Sequence, residues 1–253
     1  MKLSAGSSIA LDIALAFVLL TRLPMPRLAP EAFGHSTRAV WAYPLVGAAI
    51  GAIAWGGGQL ALAAELPAPV VAGLMIAAMV LCSGAMHEDG LADIADGFWG
   101  AQSAEKRLEI MKDSQIGTYG TLAIVIVTGL RWTALAALIP VNPAAVLAAA
   151  CISRSAMPVL MYALPPARSA GLSASVGRPR LLPVLFGVGL ASMLSATVIG
   201  SAVSAAFLIG VVATFSLAVL ASRKIGGQTG DVLGATQQLC ETLILLALCL
   251  KTA

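Results

Sequence analysis

Apolar residues run along this chain in long blocks separated by short polar stretches. The blocks fall near 9–21, 41–64, 68–86, 117–139, 142–163, 181–199, 202–222 and 233–250. A bilayer core about 30 Å thick needs about 20 helical residues, and most of the blocks reach that length. The first is short and carries Asp12, so it is either a span or a helix lying in the interface. The pattern therefore predicts an all-α fold: a polytopic transmembrane helical bundle with seven or eight spans. No internal repeat, low-complexity tract or separate soluble region interrupts it, so residues 1–253 read as a single integral membrane domain.

Composition agrees. Hydrophobic residues make up 59% of the chain, charged residues 11%, and the mean hydropathy is +0.92. An ordinary soluble domain is about 25% charged. A net charge of +3 is too small to argue for nucleic acid. Cys82, Cys151, Cys240 and Cys249 all lie in apolar runs without a CxxC spacing, which suits small buried hydrophobes better than a disulfide or metal framework. The apolar stretch after Lys2 is followed by Thr21-Arg22-Leu23-Pro24 rather than a small-residue cleavage site, so it is expected to be retained.

The cations set the orientation. Arg22, Arg27 and Arg38 follow the first block, and Lys106, Arg107 and Lys112 follow the third. Arg168, Arg178 and Arg180 follow the fifth, and Arg223 and Lys224 the seventh. The alternate connections near Glu65, Pro140 and Gly200 carry no Lys or Arg. By the positive-inside rule the basic loops are cytoplasmic.

Seven of the twelve acidic residues lie between Glu88 and Asp113. At about 100° per residue, Asp89, Asp93 and Asp96 share roughly a 60° sector of one helix face. Glu109 and Asp113 are again four apart. Carboxylates stacked this way repel unless a positive group sits among them, and no Lys or Arg occurs from Met86 to Gln102. A divalent cation is one answer, and all-oxygen ligands favour Mg²⁺ or Mn²⁺ over zinc. A solvated acidic loop is the plainer alternative. The candidate metal ligands are Asp89, Asp93, Asp96, Glu109 and Asp113. Such a cluster at a membrane surface suits phosphoryl or phosphodiester transfer, in which metal and positioning do most of the work. Asp96, Lys112 and Asp113 are the candidate catalytic groups, with Asp113 the general base.

Other residues bear on an anionic substrate. His87 opens the acidic segment, and Arg107 and Lys112 follow it. Arg131 and Arg154 lie inside apolar blocks, where they either line a polar cavity or pair with Asp12. Arg223-Lys224-Ile225-Gly226-Gly227-Gln228-Thr229-Gly230-Asp231 sets glycines and cations before a helix, a plausible anion cradle containing Gly227, Thr229 and Asp231.

The run HEDGLADIADGFWGAQSAEKRLEIMKDSQIGTYG, from His87 to Gly120, resembles the cobalamin synthase family of adenosylcobinamide-GDP ribazoletransferases. Leu20–Pro26, Tyr43–Gly51, Ser153–Met161 and Arg223–Ala235 resemble further landmarks of that family in the same order. Where the family would have Gly-Arg-Trp, this chain has Ser153-Arg154-Ser155. The resemblance implies a bacterial inner-membrane enzyme, with its active site in a cytoplasmic segment of about 87–117 and Mg²⁺ as cofactor. Its substrates would be adenosylcobinamide-GDP and α-ribazole or its 5′-phosphate. The ribose 3′-hydroxyl attacks, GMP leaves, and adenosylcobalamin or its 5′-phosphate forms. The lipid bilayer is the other expected partner, and assembly as a homo-oligomer stays open. A fainter likeness to CDP-alcohol phosphotransferases rests on Asp93-Ile94-Ala95-Asp96-Gly97 and Glu109-Ile110-Met111-Lys112-Asp113. A transporter is the third class, although its acidic groups belong at the bilayer midplane.

Overall fold

All eight apolar blocks are helical, because only a helix pairs every backbone polar group within one segment away from water. The computed structural model describes residues 9–250, and the reading of Lys2 lies outside them. In chain order the helices are α1 Ile9–Leu20, α2 Ser36–Ala39, α3 Tyr43–Ala63, α4 Ala68–Ser83, α5 Met86–Gly100 and α6 Ala104–Ile110. They continue as α7 Thr118–Leu138, α8 Ala145–Ala163, α9 Leu172–Val176, α10 Leu181–Ile199, α11 Val203–Ile225 and α12 Gly230–Cys249. Among the described residues there is no strand, only a single bridge between Pro166 and Gln228.

Five helical runs among the described residues are long and apolar enough to cross a membrane. The α4–α5 pair passes the same test together, bent by 88°. The longest run, Leu181–Ile225, doubles back. Its first end follows Arg178, which donates to the Tyr162 carbonyl at the end of α8, and the segment just after α8 bridges to Gln228 beyond its second end. Both ends therefore share one side, and Asn142 holds the Val198 carbonyl on the other. The reversal falls at Gly200, whose φ of 55° lies in the left-handed region that glycine tolerates. Counting that run twice gives seven crossings with the bent pair. The twelve residues of α1 span only about 18 Å and do not cross unaided.

The two most enclosed helices are α8 and α12. Small residues let neighbours close on α8: a Cβ at Gly47 or Gly51 of α3 would run into the α8 backbone at Ala150 or Leu147. Large apolar side chains are instead exposed on α7, α10 and α11, among them Leu122, Ile126, Phe186, Met193, Leu208 and Phe215, as a lipid-facing surface requires. Among the described residues no disulfide forms, and Cys82, Cys151 and Cys240 are buried.

The α4–α5 bend positions the acidic segment. Gly84 (φ 66°) caps α4 in the left-handed region, and Ala85 (φ 58°) adopts it too at a cost of order 1–3 kcal/mol. The chain thus leaves α4 and runs α5 across the ends of α7 and α12. The basic loops gather at this end as well: Lys224 donates to the Phe98 carbonyl at 3.0 Å, and Arg107 to the Lys224 carbonyl at 2.9 Å.

Candidate active site

One helix, α5, carries all three aspartates of the predicted face, but the burial gradient along it separates their tasks. Asp89 is exposed, Asp93 half-buried and Asp96 buried. Asp96 meets the start of α7. Its two oxygens accept the Gly117 N–H at 2.7 Å and the Gly120 N–H at 2.9 Å. Those N–H groups begin a helix and have no partner inside it, so the carboxylate satisfies them and gains from the helix dipole. A Cβ at Gly117 or Gly120 would collide with the same carboxylate. Asp96, expected as a metal ligand and catalytic group, is therefore first the clamp between α5 and α7, and each oxygen keeps a lone pair beyond its N–H bond.

Asp89 and Asp93 open onto a hollow of about 310 Å³, with Lys112, Asp113, Ser114 and Gln115 on its other side. Glu109 is absent from its lining: it pairs with Lys106 at 2.8 Å in solvent. The expected Glu109/Asp113 face fails because α6 ends at Ile110 and Asp113 lies in the turn beyond it. Among the described residues no three His, Cys, Asp or Glu side chains converge as a ready cage. Carboxylates of Asp89 and Asp93 on one wall of the hollow and of Asp113 on the other, with no His or Cys in the lining, do fit Mg²⁺ or Mn²⁺, which keep waters and take ligands from substrate phosphates as well as protein.

Asp89 also lines a second space. This cavity, of about 240 Å³, lies between the start of α5, the start of α12 and the segment after α8. His87, Thr229 and Asp231 line it as well, from the group expected to meet substrate. Thr229 caps α12 through the Val232 N–H, and its hydroxyl donates to Asp231 at 3.1 Å. Gly227 is instead where the backbone presses on Pro165–Ala167, a contact any Cβ would block. The glycine turn thus serves chain packing, and its residues from Gln228 to Asp231 face the cavity.

Two expected substrate contacts are engaged elsewhere. Arg107 donates to the Ala101 and Lys224 carbonyls, tying α6 to the ends of α5 and α11. Arg154 is 2% exposed and its partners are Glu241 at 3.5 Å and the Ala150 carbonyl. It belongs to a buried cluster in which Arg131 meets Glu241 at 2.6 Å, Glu88 at 3.2 Å and Gln238 at 2.7 Å. Asp12 plays no part there, being paired with Arg38 at 2.7 Å and Trp41 at 3.0 Å. Two arginines against Glu88 and Glu241 make the cluster formally neutral.

Sequence reasoning passed over Arg168, which had counted only as a topology signal. It lines the cavity, pairs with Asp231 at 3.2 Å and donates to the Leu108 carbonyl at 3.1 Å, so it joins three parts of the site. Glu88 and Glu241 were missed as the partners of the intramembrane arginines. An arginine in an apolar block signals that such a partner exists, and Glu241 was, with Asp12, one of two acidic residues inside the apolar blocks.

A multi-pass helical membrane protein with a carboxylate-bearing hollow beside a partly apolar cavity is, by class, a membrane enzyme handling phosphorylated substrates. The comparisons with known proteins are more specific. The family model described as cobalamin-5-phosphate synthase matches residues 12–249, so the chain belongs to that family. A protein of Bradyrhizobium diazoefficiens named adenosylcobinamide-GDP ribazoletransferase is 43% identical over 241 residues, covering 93% of this chain and 92% of that one. Proteins of the same name from a Sinorhizobium species and Azorhizobium caulinodans are 42% and 43% identical, covering 94% and 95% of this chain and 96% of each relative. No solved structure matches.

Proposed function

We propose that this chain is an adenosylcobinamide-GDP ribazoletransferase whose chemistry takes place where the carboxylate hollow and the cavity meet at Asp89. It transfers the cobinamide-phosphate moiety of adenosylcobinamide-GDP to α-ribazole or α-ribazole 5′-phosphate. A new bond joins the cobinamide phosphorus to the ribose 3′-oxygen, the diphosphate bridge breaks, and GMP leaves. The products are adenosylcobalamin or its 5′-phosphate. Family membership supports the reaction. The shared wall at Asp89 supports the location, because one side chain borders both the carboxylate-lined hollow and the partly apolar cavity.

Asp89 and Asp93 would hold Mg²⁺, or Mn²⁺, with Asp113 facing them across the hollow. When bound, the ion neutralises diphosphate oxygens and stabilises the leaving phosphate. Lys112 supplies a further positive charge to the GMP phosphate. Asp113 takes the proton of the ribose 3′-hydroxyl; it follows α6 at the exposed edge of the hollow, so it can release that proton to water. Asp96 holds Gly117 and Gly120 so that α5 and the hollow keep their shape.

The site faces the cytoplasm of a bacterial inner membrane, since the basic loops gather at its end of the bundle. A single cysteine placed at Ser103 in a variant without the four native cysteines tests this. It should react with an impermeant maleimide only after spheroplasts are opened; labelling of intact spheroplasts would reverse the orientation.

Purified protein with adenosylcobinamide-GDP, α-ribazole and Mg²⁺ should yield adenosylcobalamin and GMP by mass spectrometry. It should release no CMP from a CDP-lipid and an alcohol. The opposite pattern would place it among lipid phosphotransferases.

A further inference from the structure

The cavity beside Asp89 has a chemical character of its own. Leu20, Met157, Met161 and Val176 give it apolar walls. Most of its polar side chains are occupied with one another: Ser173 donates to Gln228 Oε1, Thr229 to Asp231, and Arg168 to Asp231. His87 is different. It lines the cavity, is 1% exposed, and its Nε2 has no hydrogen-bond partner. A buried ring nitrogen left this way costs free energy that a ligand atom can recover.

We infer that this cavity seats the acceptor nucleoside, with its fused heteroaromatic base against the apolar walls and its ring nitrogen accepting from His87 Nε2. The inference rests on the reaction proposed above and says which substrate goes where. Three substrate parts compete for the space. The corrin macrocycle is far too large for about 240 Å³. Guanine carries donors and acceptors on several edges, and the apolar walls of Leu20, Met157, Met161 and Val176 would leave part of them unpaired. A benzimidazole-type base attached through one ring nitrogen keeps a single acceptor nitrogen and no donor. The unpartnered His87 Nε2 beside the apolar walls of Leu20, Met157, Met161 and Val176 matches that base. Seated so, its ribose lies toward Asp89 and the hollow, where the hydroxyl must react.

Ala174 lies on α9, which covers the cavity from outside the spanning bundle, so its enlargement fills the chamber without disturbing the core. Ala174→Phe should raise KM for α-ribazole roughly tenfold or more and leave KM for adenosylcobinamide-GDP within about twofold. His87→Phe keeps a ring but no nitrogen, and should raise KM for α-ribazole roughly tenfold. Equilibrium dialysis of labelled α-ribazole, without corrinoid, should show the same losses in affinity. Should Ala174→Phe not be recovered folded from detergent, Ala174→Leu and His87→Phe carry the same comparison.

A rise confined to adenosylcobinamide-GDP would assign the cavity to guanosine and overturn the inference, as would unchanged constants for both substrates. If wild-type protein makes no corrinoid product at all, the proposed reaction fails instead, and the two failures are told apart.

Discussion

Asp89, Asp93 and Asp96 look equivalent on a helical wheel, and their surroundings make them unlike. Asp96 accepts two helix-starting N–H groups, and charge-assisted bonds of this kind contribute about 1.5–3 kcal/mol. Asp96→Asn puts an amide NH₂ against one of those donors. It should lower the thermal unfolding temperature measurably in detergent, whereas Asp93→Asn, which relieves a carboxylate crowd, should not. Equal stability of the two variants would remove the clamp assigned to Asp96. The helical phasing of the aspartates was legible from the sequence, since all three fall on α5. The partners of Asp96 were not, because Gly117 and Gly120 reach it only through packing of helices more than twenty residues apart. Glu109 shows the converse: its phasing with Asp113 assumed a helix that stops at Ile110.

Between elements, contact is set by glycine. A Cβ at Gly90 of α5 would lie 2.8 Å from the Asp231 carbonyl oxygen, too close for backbone to yield without moving α12. Gly90→Ala should cost about 1–3 kcal/mol of stability and pull Asp89 away from Asp231. The expected readout is a lowered unfolding temperature together with reduced turnover. Gly129→Ala, with open space at its Cβ, should change neither. A neutral Gly90→Ala would show that α5 and α12 are not held at this spacing. Every apolar block was recognisable as a helix, with ends within a few residues of those found, because length and hydropathy suffice for that. The 88° bend was not, since it depends on Ala85 joining Gly84 in the left-handed region.

For the molecule as a whole, the buried Arg131–Glu241–Arg154–Glu88 cluster joins α5, α7, α8 and α12 beneath the site. Removing one charge from such a set strands the others, at about 3–5 kcal/mol. Glu241→Gln should therefore unfold at markedly lower temperature, while exposed Glu65→Gln stays at the wild-type value. Adding Arg154→Leu to Glu241→Gln should return part of the loss, because Arg154 is the cation left without an acid while Arg131 keeps Glu88. If Glu241→Gln matches wild type, the cluster does not hold the bundle together. The two arginines announced a polar partner; which acid answered them depended on α12 packing against α7 and α8.

The central claim is that Asp89 and its neighbours hold the divalent ion that makes diphosphate cleavage feasible. Its most direct test is the Mg²⁺ dependence of adenosylcobalamin formation by wild type and Asp89→Asn at saturating substrates. Wild type should lose turnover on chelation and recover it with Mg²⁺. Asp89→Asn should turn over slower by a factor on the order of 100 and need more Mg²⁺ for what remains. An Asp89→Asn enzyme with the wild-type rate and the wild-type Mg²⁺ curve would contradict the account.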